Sequence, residues 1–221
     1  MRLCLGKVTN IYNPFLLFHR RRMQMFDNDN PKIYTSSLCF SYVFQKSSIV
    51  KIINGVCMSK KKPNTFFICC SDNRIVSHCF TSKKQDDLFV LRNIGNLIPP
   101  YKELDMAVAS AIEYAVNFLN IPHIIICGHS DCGGMKAVLE GAGNTPTLSK
   151  WIKYVVPTNG ITSPDELSKV NVIYQIKNLM TYPVVAKGLS DGILTIDGWW
   201  LDLDTDVVYC HDEKTGDWNV I

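Results

Sequence analysis

The stretch His123-Ile124-Ile125-Ile126-Cys127-Gly128-His129-Ser130-Asp131-Cys132-Gly133-Gly134 runs from apolar strand formers into a polar turn bounded by glycines. His123 to Cys127 has the length and the β-branched content of a buried strand. Gly128 is expected to break it. Gly133-Gly134 then leads into a helix from Met135 to about Glu140.

The sequence on either side repeats this alternation. Thr65 to Cys69, after the Pro63-Asn64 turn, reads as another buried strand, and Leu88 to Leu91 as a third. Pro99-Pro100 is expected to open a helix, since proline suits the first turn. Leu104, Val108, Ala111, Ile112, Ala115 and Leu119 follow at helical spacing, and Ile121-Pro122 ends the run. Ser163-Pro164-Asp165-Glu166 starts a helix through Met180, with its acids where the helix dipole favours them. Gly192 to Trp200 and Asp206 to His211 read as a terminal hairpin joined by a polar turn. The fold class expected is α/β: a mostly parallel central β-sheet flanked by helices, with C-terminal strands in a hairpin.

Composition narrows the class. The 221 residues suit one α/β domain with a sizeable core. Residues 1–60 are irregular and are expected to form an N-terminal arm. Lys60-Lys61-Lys62-Pro63-Asn64 marks the boundary to a domain over residues 61–221. A net charge of +3 argues against a nucleic-acid partner and suits a small anionic one. No apolar run approaches the ~20 residues of a membrane span, so no membrane partner is expected. The 9 cysteines are an odd number, and several lie inside apolar runs, which points to a reducing compartment. The cytoplasm is the expected location. The basic start, with Arg20-Arg21-Arg22 and no acid before Asp27, fits an organellar transit peptide as the alternative, or an ordinary arm.

In a parallel sheet, ligands sit beyond the carboxyl ends of the strands. Two segments fall there: Cys70-Ser71-Asp72-Asn73-Arg74 and Gly128-His129-Ser130-Asp131-Cys132-Gly133-Gly134. Thiolate and imidazole are zinc ligands, and a catalytic zinc keeps three of them and one open position. Cys70, His129 and Cys132 supply that set. His129 and Cys132 are three apart on a tight turn, while Cys70 arrives from another strand end. The alternative on spacing alone is two buried thiols and a loop histidine.

These segments, with Arg92-Asn93-Ile94-Gly95-Asn96 between them, resemble the beta-class carbonic anhydrases. The family pattern is Cys-x-Asp-Ser-Arg, then Arg-Asn-x-Gly/Ala-Asn, then Gly-His-x-x-Cys-Gly. The likeness runs from about Lys61 to the C-terminus. It implies one Zn2+ per chain on Cys70, His129 and Cys132. It implies a lyase for the reversible hydration of carbon dioxide to bicarbonate and a proton, by attack of zinc-activated hydroxide. Asp72 would accept a hydrogen bond from the attacking group, and Arg74 would hold Asp72. Phe89 and Tyr114 would line the carbon dioxide pocket, and the Gly133 N–H would contact bicarbonate. A homodimer or higher homo-oligomer is implied as well. Two departures stand out. Asn73 replaces the family serine, and Lys61 stands where the family often has a substrate-holding glutamine. A charged lysine donates but does not accept. Two other readings remain at this point: a hydrolase of carbon disulfide or carbonyl sulfide, and a zinc-binding scaffold with impaired catalysis.

Overall fold

The computed structural model describes residues 62–75, 87–142 and 145–221. The expected arm over residues 1–60, and Lys61, lie outside the described residues. Among the described residues, six strands make one sheet in the order β2-β1-β3-β4-β5-β6. They are β1 (Thr65–Cys70), β2 (Leu88–Asn93), β3 (His123–His129), β4 (Thr195–Asp202), β5 (Val207–His211) and β6 (Trp218–Val220). The first four in sheet order run parallel, and β5 and β6 add antiparallel. The expected mostly parallel sheet and C-terminal hairpin are both present.

Strand periodicity distributes the core to the two faces of this sheet. Phe66 and Ile68 pack with Ile124, Ile126 and Ile112. Phe67 and Cys69 face the other way and pack with Ile125 and Cys127. All six residues of β1 are buried. That explains why this strand is an unbroken apolar run rather than an alternating one.

Two expectations need correction. Gly128 does not break β3, which runs on to His129 and pairs Gly128 with Trp200 and His129 with Leu201. The glycine is there because a helix lies too close for any side chain. A Cβ at Gly128 would stand 2.8 Å from Val172 Cγ2 and 2.9 Å from Ser168 Oγ. Nor does a single helix start at Pro99-Pro100. A 3-10 turn over Tyr101–Glu103 comes first, and Leu104 is not helical. Helix α1 (Met106–Glu113) starts afresh at Asp105, whose carboxylate accepts from the Ala107 and Val108 N–H groups. It continues as a π-helical turn over Tyr114–Phe118.

Helix α2 (Gly133–Glu140) begins two residues earlier than expected, with Cys132 at its N-cap position. A short helix α3 (Pro146–Trp151) follows. Helix α4 (Pro164–Leu179) has the expected start: Ser163 Oγ accepts from the Glu166 N–H at 3.3 Å, with Pro164 in the first turn. Helix α5 (Pro183–Ser190) leads to β4. The reading from sequence did not separate α3, α5 or the three-residue strand β6.

Candidate metal centre

Strands β1 and β3 are neighbours in register, Cys69 beside Cys127, so their carboxyl ends lie side by side. Cys70 ends β1, His129 ends β3, and Cys132 stands at the start of α2. Their ligand atoms all lie within 4.8 Å of one another, and all three residues are buried. Residues 59 positions apart in sequence thus converge on one point, as the strand-end rule requires.

The imidazole is oriented for a metal. His129 Nδ1 lies 2.8 Å from the Ser130 carbonyl oxygen. A carbonyl only accepts, so Nδ1 carries the proton and Nε2 presents a lone pair. That buried Nε2 has no hydrogen-bond partner among the described residues. The backbone at His129 is fixed by one hydroxyl, which receives its N–H at 3.2 Å and donates to its carbonyl at 2.9 Å: Ser168 Oγ of α4.

The thiols are differentiated. Cys70 is held well below the ordinary thiol range, first by the Cys132 thiol, then by His129 and the backbone N–H of Gly95, against burial that raises it. The Gly95 N–H lies 3.4 Å from Cys70 Sγ. Cys132 is pushed up by the same pairing with Cys70, then by burial. Two close thiols sharing one proton make a thiolate site that a cation would complete. Cys69 and Cys127 stand in contrast. Burial pushes Cys69 up to about 12 and raises Cys127 as well, so both remain thiols of the core. Two sulfurs, one orphaned imidazole nitrogen and a buried setting fit a zinc ion with an open position.

Asp72 and Arg74 meet as expected. The guanidinium donates from Nε to Asp72 Oδ1 at 3.0 Å and from Nη2 to Oδ2 at 2.7 Å. The Arg74 backbone N–H also reaches Oδ1 at 3.0 Å. The Arg74 side chain, foremost, holds the Asp72 carboxyl well below the usual carboxylate range. Sequence reasoning missed what surrounds this pair. Arg92 donates from Nε to the Cys70 carbonyl at 3.1 Å and from Nη2 to the Asp72 carbonyl, clamping the ligand-bearing segment. Asp131 also binds Arg74, from Oδ2 at 3.0 Å. Arg92 lay inside a recognised motif, which was a signal. Asp131 gave none beyond its place between two ligands.

The other site residues sit differently. Gly133 opens α2, and a Cβ there would meet nothing within 4 Å. Phe89 and Tyr114 lie together, ring centroids 5.7 Å apart. They do not join the metal centre within one chain. Phe89 pairs with Phe66 in register, four strand residues or about 13 Å from Cys70. A cleft of about 420 Å³ does open beside the centre, lined by Ser71, Asn93, Ile94, Thr147, Leu148 and Trp151.

Known proteins resemble this chain in sequence and fold. The carbonic anhydrase family model matches residues 65–208. A carbonic anhydrase of Pseudomonas aeruginosa is 35% identical over 159 residues, 66% of this chain and 72% of that protein. One from Synechococcus elongatus is 37% identical over 157 residues, 65% of this chain and 58% of that protein. Among solved structures, the beta-carbonic anhydrase CcaA superposes with a TM-score of 0.74 at 29% identity, over 86% of this chain and 100% of that one. A chain from the crystal structures of two tetrameric beta-carbonic anhydrases of Sordaria macrospora shares the fold, with a TM-score of 0.64 at 23% identity, over 92% of this chain and 99% of that one. With the matched region spanning β1 to β5 and both strand-end segments, the chain belongs to the carbonic anhydrase family, in its beta class.

Proposed function

We propose that this protein catalyses the reversible, zinc-dependent hydration of carbon dioxide to bicarbonate and a proton. One observation carries the reading: three buried zinc-type donors within 4.8 Å of one another, next to a carboxylate fixed by an arginine. Cys70, His129 and Cys132 would hold the ion. Zinc bound there acts as a Lewis acid and makes hydroxide available near neutral pH.

The chain's own groups do the rest. Asp72 Oδ1 is occupied twice by Arg74, whereas Oδ2 receives one bond and keeps a lone pair. An ionised carboxylate accepts and never donates. Oδ2 therefore takes the O–H of the attacking group and turns its lone pair toward carbon dioxide. The Gly133 N–H, at the positive end of α2, would donate to an oxygen of bicarbonate as charge develops. The neutral substrate needs an apolar approach. Phe89 and Tyr114 would provide it at the site of a second copy, since they are remote from Cys70 in their own chain. Tyr114 and Phe118 stack with centroids 4.8 Å apart, yet are 45% and 67% exposed. Large aromatic area left in water on one helix face marks an interface, and a homodimer is the proposed assembly.

Stopped-flow hydration of carbon dioxide by zinc-loaded protein tests the reading. Turnover that disappears on chelation and returns with zinc is expected. Zinc-loaded protein without turnover points to the scaffold, and cleavage of carbonyl sulfide alone points to the related hydrolase.

A further inference from the structure

We propose that Asp131 is a positioning residue for Arg74 and, through it, for the Asp72 carboxylate. The proposal rests on the role given to Asp72 above. Arg74 is gripped along two edges. Nε and Nη2 bind Asp72 at 3.0 and 2.7 Å. Nη1 binds Asp131 Oδ2 at 3.0 Å, and Nη2 also reaches the Asp131 carbonyl oxygen at 3.2 Å. A guanidinium bound on one edge moves with its partner. Bound on two edges by groups from different segments, it has a fixed plane, and the carboxylate on its first edge is fixed with it.

The second grip is itself built. Asp131 has a left-handed backbone with φ of 55°. Its N–H donates to Asp165 Oδ1, in the first turn of α4, at 2.7 Å. Its other carboxylate oxygen pairs with Lys136 of α2. Asp131 thus has little freedom to follow Arg74. The bond also joins the Cys70 segment to the turn between His129 and Cys132, the two segments that carry the three metal donors. Exposure sets where the effect appears. The Arg74 and Asp131 side chains are 44% and 52% exposed, and ion pairs so exposed contribute little to stability. The consequence lies in the placement of Asp72, hence in turnover.

Two substitutions separate the carboxylate from the backbone. Glycine and asparagine both accept the left-handed conformation. Asp131→Gly removes the acceptor, whereas Asp131→Asn keeps an amide oxygen that Nη1 reaches. With zinc content matched, Asp131→Gly is expected to lower kcat by about tenfold with KM nearly unchanged, and Asp131→Asn to recover most of the loss. In an Arg74→Ala background, Asp131→Gly should lower kcat no further, because the two act as one unit. A second readout needs no activity. In ¹⁵N-edited spectra of zinc-free protein, assigned with Arg74→Lys, the Arg74 Nη1 protons should lose protection from exchange in Asp131→Gly. Wild-type kcat in Asp131→Gly, an equal loss in both backgrounds, or unchanged Arg74 signals would overturn the proposal. If the wild-type protein hydrates no carbon dioxide, the functional reading has failed, and the arginine spectra decide the placement of Arg74 by themselves.

Discussion

At the residue scale the chemistry reduces to one carboxylate and three donors. Asp72→Asn keeps the size but replaces an acceptor-only group with one that also donates. It should retain zinc and lose on the order of tenfold to a thousandfold in kcat, the scale for one positioned polar group. Arg74→Ala should do similar harm, and the double variant little more than either. Rates and elemental analysis for all three check this; fully additive losses would separate the two residues. His129→Ala removes the orphaned Nε2, and elemental analysis of that variant should find zinc well below one per chain. Cys70, His129 and Cys132 were legible from their ligand chemistry and their places at strand ends, whereas the roles of Asp72 and Arg74 came only with the family resemblance. The pairing of Asp131 with Arg74, 57 positions away, and the clamp that Arg92 puts on two carbonyls were not legible, although Arg92 itself stood in a recognised motif. Their roles come from tertiary neighbours that no local pattern encodes.

At the scale of elements, the site depends on where strands end and how closely α4 lies on the sheet. The apolar runs at β1 and β3 were readable, because burial on both faces writes itself into composition. The end of β3 was misread, because a glycine that admits a helix looks like a glycine that ends a strand. Gly128→Ala tests this directly. A methyl group 2.8 Å from Val172 Cγ2 should cost about 1–3 kcal/mol of stability, measured by denaturant unfolding. A neutral result would mean that α4 shifts freely. The start of α1 was misplaced because prolines at 99 and 100 competed with an aspartate cap that only the structure reveals.

The junction of α4 and α5 carries a pH signature. Tyr182 is fully buried and donates to the Pro99 carbonyl at 2.9 Å. Burial, then the charges of Asp105 and Glu113, push its phenol from the ordinary 10.0 up to about 12. The folded state therefore holds this proton where the unfolded state has lost it. The stability involved is fully present below pH ~10 and falls as pH rises toward ~12. Tyr182→Phe should remove that part of the alkaline loss while costing about 1 kcal/mol at neutral pH. Denaturant midpoints for both proteins between pH 9 and ~12 decide it; parallel curves would refute the assignment.

For the whole molecule, one sheet brings two distant segments to a single centre, and an aromatic helix face stays exposed, where the proposed second copy would pack. The fold class was legible because alternating strands and helices admit few topologies. The assembly was not, since exposed aromatics in a monomer sequence look like core. Replacing both Tyr114 and Phe118 with Asp should give a monomer by sedimentation at micromolar concentration, with turnover reduced as well. A variant that remained a dimer would place the interface elsewhere. The most direct test of the central claim joins metal to rate. Zinc is titrated into metal-free protein while carbon dioxide hydration is followed by stopped flow. The rate should rise in proportion to bound zinc and level off at one ion per chain, with His129→Ala flat throughout. Protein that binds one zinc per chain through Cys70, His129 and Cys132 and still hydrates no carbon dioxide would contradict it.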